Sequence, residues 1–308
     1  MRKIIIDCDP GHDDIMAIVT ALAHQDKLDI LGICTVAGNH TLEKVTDNIL
    51  KVEQYLGINI PVYKGYDRPI VKPCMPQPDA HGDSGMDGPQ LAEATIKASD
   101  KHALTFYKET LSENDKVTIV GLGPLTNIAM LLSTYPQLKD HIEQVVIMGG
   151  AIDGGNINKY AEFNIWHDPE AAKIVFDSGV KVVMAPLEVC SSGAILISET
   201  KQFTYDKKVN KLIRELFDFY SLYAIERNWD RDSIFDVVPI IYLIYPELFR
   251  YETGNIDIVL DGIDHQGQTI FNKDINGNHI VLLETEREKF IKVFIDAVNT
   301  LDSLLQDN

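Results

Sequence analysis

Apolar runs alternate with helical patterns through the first two thirds of this chain. Ile4-Ile5-Ile6 reads as a buried strand, because β-branched side chains suit an enclosed pleated surface. Pro10-Gly11 breaks it, and Ile15, Met16, Ile18, Val19 and Leu22 then recur at helical spacing. The same alternation predicts strands over 28–37, 61–63, 116–121, 145–148 and 180–185. It predicts helices over 42–56, 102–111, 124–132 and 169–177. Residues 65–99 are rich in Pro, Gly and Asp with weak periodicity, the mark of a long functional loop. After residue 190 the rhythm changes. Long apolar-faced helices are expected over 209–227, 237–243 and 290–301. Short strands are expected over 256–260, 269–271 and 280–283, antiparallel to one another. No Gly/Ser or Pro-rich linker divides the chain. The expectation is one α/β domain over 1–308: an open, mostly parallel but mixed sheet with helices on both faces.

Composition narrows the chemistry. The 308 residues are 45% apolar, and 46 acidic against 28 basic residues give a formal charge of −18. Nucleic-acid and anionic-membrane binding need a basic footprint, which this balance argues against. No apolar run approaches the ~18 residues of a membrane span, and the chain opens on a strand with no leader pattern. Cys8, Cys34, Cys74 and Cys190 lack metal-type spacing, and Cys8 and Cys34 lie in or beside apolar runs. Reduced thiols and a cytoplasmic location are expected.

Four segments carry candidate chemistry. Asp7, Asp9, Asp13 and Asp14 crowd the turn between the first strand and the first helix, at the strand's carboxyl end, where α/β sheets bind ligands. Burying such acids uncompensated costs several kcal/mol each. Oxygen ligands without Cys or His pairs point to Ca²⁺ or Mg²⁺ rather than Zn²⁺. A solvated turn with one capping Asp accounts for only part of the cluster. The turn Gly121-Leu-Gly-Pro-Leu-Thr-Asn127 lets backbone approach a ligand, although taken alone it reads as an ordinary glycine-rich turn. Between 154 and 169, Asn156, Glu162 and Asn164 suit the gripping of hydroxyls, while Asp168 before Pro169 reads as a helix cap. Asp236, after Phe235, is either a cap or a distant metal ligand, and spacing alone favours the cap.

Taken in order, these pieces resemble the inosine–uridine preferring nucleoside hydrolase family. Asp7-Cys-Asp-Pro-Gly-His-Asp-Asp14 is similar to its DxDPGxDD signature. Val36-Ala-Gly-Asn39, His81-Gly-Asp-Ser-Gly85, Gly123-Pro-Leu-Thr-Asn127, Met148-Gly-Gly150 and Ala161-Glu-Phe-Asn-Ile165 follow in family order. The resemblance implies the nucleoside hydrolase fold and Ca²⁺-dependent cleavage of a ribonucleoside to ribose and free base, in nucleoside salvage. It implies Asp9, Asp14, the Thr126 carbonyl and Asp236 as metal ligands, with Asp9 taking a proton from the water bound there. Asp13, Asn39, Asn156, Glu162 and Asn164 would hold the ribose. A homo-oligomer, dimer or tetramer, is also implied.

One departure stands out. Many members place a His before the last metal-binding Asp to protonate the leaving base, and here that position is Phe235. His81 is the first substitute, since a His titrates in the useful range. A plain loop role for it weighs equally. Tyr223, Arg227 and Trp229 lie where the family closes over the base, so an aromatic face is a second route. His12 reads as non-catalytic. The rival to a hydrolase is a nucleoside- or ribose-binding homologue with weak or lost cleavage. A phosphatase-like Mg²⁺ enzyme is weaker still, because the chain has no P-loop or basic phosphate grip.

Overall fold

A computed structural model of the chain describes residues 1–262 and 264–306. In chain order the strands are β1 (Arg2–Cys8), β2 (Leu28–Thr35), β3 (Val62–Lys64), β4 (Val117–Gly121), β5 (Ile142–Met148), β6 (Val182–Ala185), β7 (Ile195–Leu196), β8 (Arg231–Asp232), β9 (Phe249–Ile258), β10 (Thr269–Lys273) and β11 (His279–Thr285). Nine of them form one sheet, in the order β10-β9-β11-β6-β5-β4-β1-β2-β3, while β7 and β8 pair separately. Strands β1 to β6 are all parallel. β11 adds parallel to β6, and β9 and β10 follow antiparallel. The mostly parallel, mixed sheet is therefore as the pattern predicts.

The pleat distributes β1 between two apolar layers. Ile4, Ile6 and Cys8 enter a core shared with the helices His12–Leu22, Lys208–Glu226, Val237–Ile244 and Arg287–Gln306. Ile5 enters the other, with Ala103–Glu113, Thr126–Thr134 and Pro169–Asp177. Every residue of His12–Leu22 is buried, as befits a helix apolar nearly all round. Asp7 shares the face of Ile5, two residues away along the strand. Its carboxylate accepts from Tyr107 Oη at 2.8 Å and Asn127 Nδ2 at 2.9 Å, so it braces the second layer. This corrects the grouping of Asp7 with the ligand-facing acids.

Strongly periodic helices form where predicted. Leu42–Leu56 ends on Gly57, whose φ of 75° suits a left-handed cap. Asp168 caps Pro169–Asp177 by accepting from Ala171 N at 3.1 Å. β9 begins earlier than the pattern shows, because Arg250 and Tyr251 in its first half are exposed and break the apolar run. Between 65 and 99 the described residues form one short helix, Pro78–His81, and otherwise run as loop. No helix among the described residues is long and apolar enough to cross a membrane.

The chain leaves β1 toward β2 and β3 on one side, and returns to build β4, β5 and β6 on the other. A crevice therefore opens at the carboxyl ends of β1 and β4, the switch point of an open α/β sheet.

Candidate active site

Asp9 follows directly on β1. Its Oδ2 accepts from Asn39 N at 2.7 Å, while its Oδ1 is buried without a hydrogen-bond partner. A methyl group on Gly38 would lie 2.1 Å from Oδ2, and one on Gly123 would lie 2.4 Å from Oδ1. Both turns need glycine because they close directly on this carboxylate. Asp14 sits in the first turn of His12–Leu22 and accepts from Gly11 N at 2.9 Å, Asp9 N at 3.2 Å and Asn39 Nδ2 at 3.2 Å. The helix amino end partly offsets its charge. Asp13, Asp14 and Asp236 bring carboxylate oxygens within 4.8 Å of one another. Asp236 makes no side-chain cap bond to the helix it precedes, so the cap favoured by spacing is not what forms.

Burial is the first cause of pKa change at all four acids. It pushes Asp9 and Asp236 well above the carboxylate range and Asp14 upward, and it takes Asp13 to about 8. The Asp14 charge raises Asp9 and Asp13 further, and the Asp13 charge raises Asp236. The one arginine on the cavity lining, Arg231, pairs instead with Asp230. An all-oxygen donor set, mutual repulsion and the orphaned Asp9 Oδ1 fit a hard divalent cation.

Above this floor lies a cavity of about 600 Å³, a size that takes a small molecule. Asp13, Asn39, Asn156, Glu162, Asn164, His81 and Trp229 all line it. Asn164 Nδ2 donates to the carbonyls of Leu122 at 2.8 Å and Met148 at 3.1 Å, which leaves its amide oxygen to face a ligand. Glu162 accepts from the backbone of Gly150, Asn164 and Ile165 at 2.9, 2.8 and 3.2 Å, so it caps the short helix Phe163–His167 as well as lining the cavity. Burial lifts its pKa to about 7. Asn156 Oδ1 accepts from Phe163 N at 2.9 Å. Trp229 is 56% exposed at the rim, edge-on to Tyr223 at 6.2 Å, and the Arg227 guanidinium lies 3.4 Å from the Tyr223 ring centre.

Thr126, like Asp9 and Asp14, is set back from the cavity lining. It opens the helix Thr126–Thr134, and its hydroxyl donates to Asp168 at 2.6 Å. From the same turn it is Leu122 that reaches the cavity. The Leu122 carbonyl already accepts from Asn164 Nδ2.

His81 pairs with His12. Its Nδ1 lies 3.2 Å from His12 Nδ1, and His12 Nε2 lies 2.8 Å from the Asp87 carbonyl. A carbonyl only accepts, so His12 Nε2 carries the hydrogen. Burial lowers His12 to about 4, so the ring is neutral and its Nδ1 is bare. His81 Nδ1 then carries the shared hydrogen. His81, lowered by burial to about 3, offers the cavity a bare Nε2. In this neutral state Nε2 is an acceptor, and a proton gained there would turn it into a donor. His12, read from sequence as a bystander, sets this arrangement while stacked on Phe219 and Tyr220, with ring centroids 5.3 Å away.

Sequence reasoning also missed Tyr220 and Asp232 on the cavity wall, beside Phe235. Asp232 lies in the two-residue strand β8, too short to show alternation.

A carboxylate floor at a sheet switch point, under a cavity walled by amides and aromatics, has the donor chemistry for a hard cation and a hydroxyl-rich ligand. Residues 4–300 match the family model for the inosine-uridine preferring nucleoside hydrolases, and the chain belongs to that family. It is thus a hydrolase of N-glycosidic bonds. It is 39% identical over 304 residues to a pyrimidine-specific ribonucleoside hydrolase, RihA, of Shigella boydii serotype 4 (strain Sb227), a match covering 96% of this chain and 97% of the relative. Among solved structures, the purine-preferring ribonucleoside hydrolase from Gardnerella vaginalis superimposes with a TM-score of 0.92 at 29% identity, covering 98% of this chain and 100% of that one. The plant nucleoside hydrolase PpNRh1 gives 0.89 at 29% identity, covering 96% and 98%.

Proposed function

We propose that the chain hydrolyses ribonucleosides to ribose and free base with Ca²⁺ bound by Asp9, Asp14, the Thr126 carbonyl and Asp236, beside Asp13. One observation carries this reading: buried acids crowd the cavity floor without a basic partner, and one oxygen of Asp9 has no hydrogen bond. Calcium suits such a set because it accepts many oxygens in flexible geometry. It would orient the ribose hydroxyls and acidify the attacking water. Asp9 takes a proton from that water. The Asn164 amide oxygen and Glu162 face the sugar as positive charge develops on it. Asn39 and Asn156 complete the grip. His81 accepts a hydrogen bond from the ligand, and Trp229 closes the rim over the base.

The relative named above is pyrimidine-specific, so uridine and cytidine head the substrates to try. All four cysteines are free thiols, which suits a reducing cytoplasm and a salvage role. The dimer or tetramer implied by resemblance is read by sedimentation. Ribose release from uridine, cytidine, inosine and adenosine, with calcium and with chelator, tests the reading. Calcium-dependent release supports it. Phe235 motivates the rival of a binder, which nucleoside binding without ribose release would establish.

A further inference from the structure

With Phe235 unable to donate a proton and His81 neutral at rest, a second acid on the cavity wall bears on activation of the leaving base. Asp232 is that acid. It is 5% exposed and lines the cavity three residues before Phe235. β8 pairs with β7, Ile195 opposite Asp232, which fixes the backbone. Arg231, next along the strand, is exposed and spends its guanidinium on Asp230. Asp232 Oδ2 accepts from the Ser221 hydroxyl, on the long helix Lys208–Glu226. Its Oδ1 makes no hydrogen bond among the described residues, which leaves it the Asp232 oxygen available to a ligand in the cavity this residue lines.

We propose that Asp232 is the proton donor to the leaving base, in the place of the histidine that Phe235 replaces. The assignment rests on the hydrolase reading above. A carboxyl enclosed here has no basic partner among the described residues, so its neutral form is favoured. Burial raises its pKa, and the Ser221 hydrogen bond only partly opposes this. A carboxylic acid held neutral by its surroundings is a competent hydrogen-bond and proton donor. In the step itself the C1′–N bond breaks and its electron pair leaves with the base. The Asp232 proton goes to an acceptor atom of that base. Water oxygen bonds to C1′, and the water's proton goes to Asp9. Proton exchange with solvent resets both carboxyls, so the net reactant is one water.

Asp232→Asn tests the role through the leaving group. Nucleosides need a proton on departure, whereas 4-nitrophenyl riboside releases a stable phenolate without one. We expect nucleoside turnover to fall about 100-fold or more in D232N, with 4-nitrophenyl riboside turnover within about threefold of the parent. A parallel loss on both substrates, or no loss on either, overturns the proposal. Asp232→Ala gives a second reading that does not depend on D232N folding. Added formate should restore nucleoside turnover about tenfold without changing riboside cleavage, and no recovery counts against Asp232. If the unaltered chain cleaves neither substrate, the hydrolase reading itself fails, which is a separate result from a defect confined to the variants.

Discussion

The floor and the wall of the cavity are built in different ways. The floor at Asp9, Asp13 and Asp14 comes from six consecutive residues, set by one strand end and one helix start. Backbone N–H groups and two glycine-lined turns lock it. The wall draws on Tyr220, Tyr223, Trp229, Asp232 and Phe235, which hang from a long helix, a two-residue strand and the turns between. Trp229 and Tyr223 are substantially exposed there, whereas Asp9 and Asp14 are buried. A floor shaped by dense, short-range constraints tolerates little change. A wall made of separate side chains can exchange its acid, as the Phe235 and Asp232 pair exemplifies.

This contrast should break most visibly at the floor. Asp9→Ala removes the proton acceptor and a cation-facing oxygen, and turnover should fall at least about 1,000-fold in ribose-release assays. A loss under tenfold would place the chemistry elsewhere.

Metal removal gives the next largest effect. The floor acids hold protons more tightly folded than unfolded, with Asp13 at about 8. Their contribution to stability is thus present at low pH and is lost as pH rises toward 8. On the reading proposed above, calcium takes the place of those protons. It should raise the melting temperature by roughly 5 °C or more at pH 8 and by less at pH 5. Equal shifts at both values would contradict the raised pKa values.

On the wall, His81→Ala deletes an acceptor and no proton. KM should rise about tenfold, with kcat within about threefold. A collapse of kcat alone would return His81 to the donor role. Trp229→Ala should have the smallest effect, about a threefold rise in KM for base-bearing substrates. An equal rise for ribose inhibition would move Trp229 away from the base.

Legibility in the sequence follows the same division. Helices Leu42–Leu56 and Pro169–Asp177 were readable because apolar periodicity and caps coincide. The acidic turn was readable because its ligands are neighbours in the chain. Asp7 was misplaced because alternation along β1 sends it to the opposite layer, onto Tyr107 and Asn127. The helices Phe163–His167 and Leu187–Ser192 and the β7–β8 pair are too short to carry a period. His12 and His81 lie 69 residues apart in the chain, and only the folded 65–99 loop reveals their contact.

The central claim is that the floor holds a divalent cation which positions the sugar. Its most direct test is calcium titration of chelator-treated protein, with bound metal and ribose release followed in one sample. The account predicts one calcium per chain, with ribose release rising in step with occupancy. Full ribose release from a chain shown to carry no metal would contradict it.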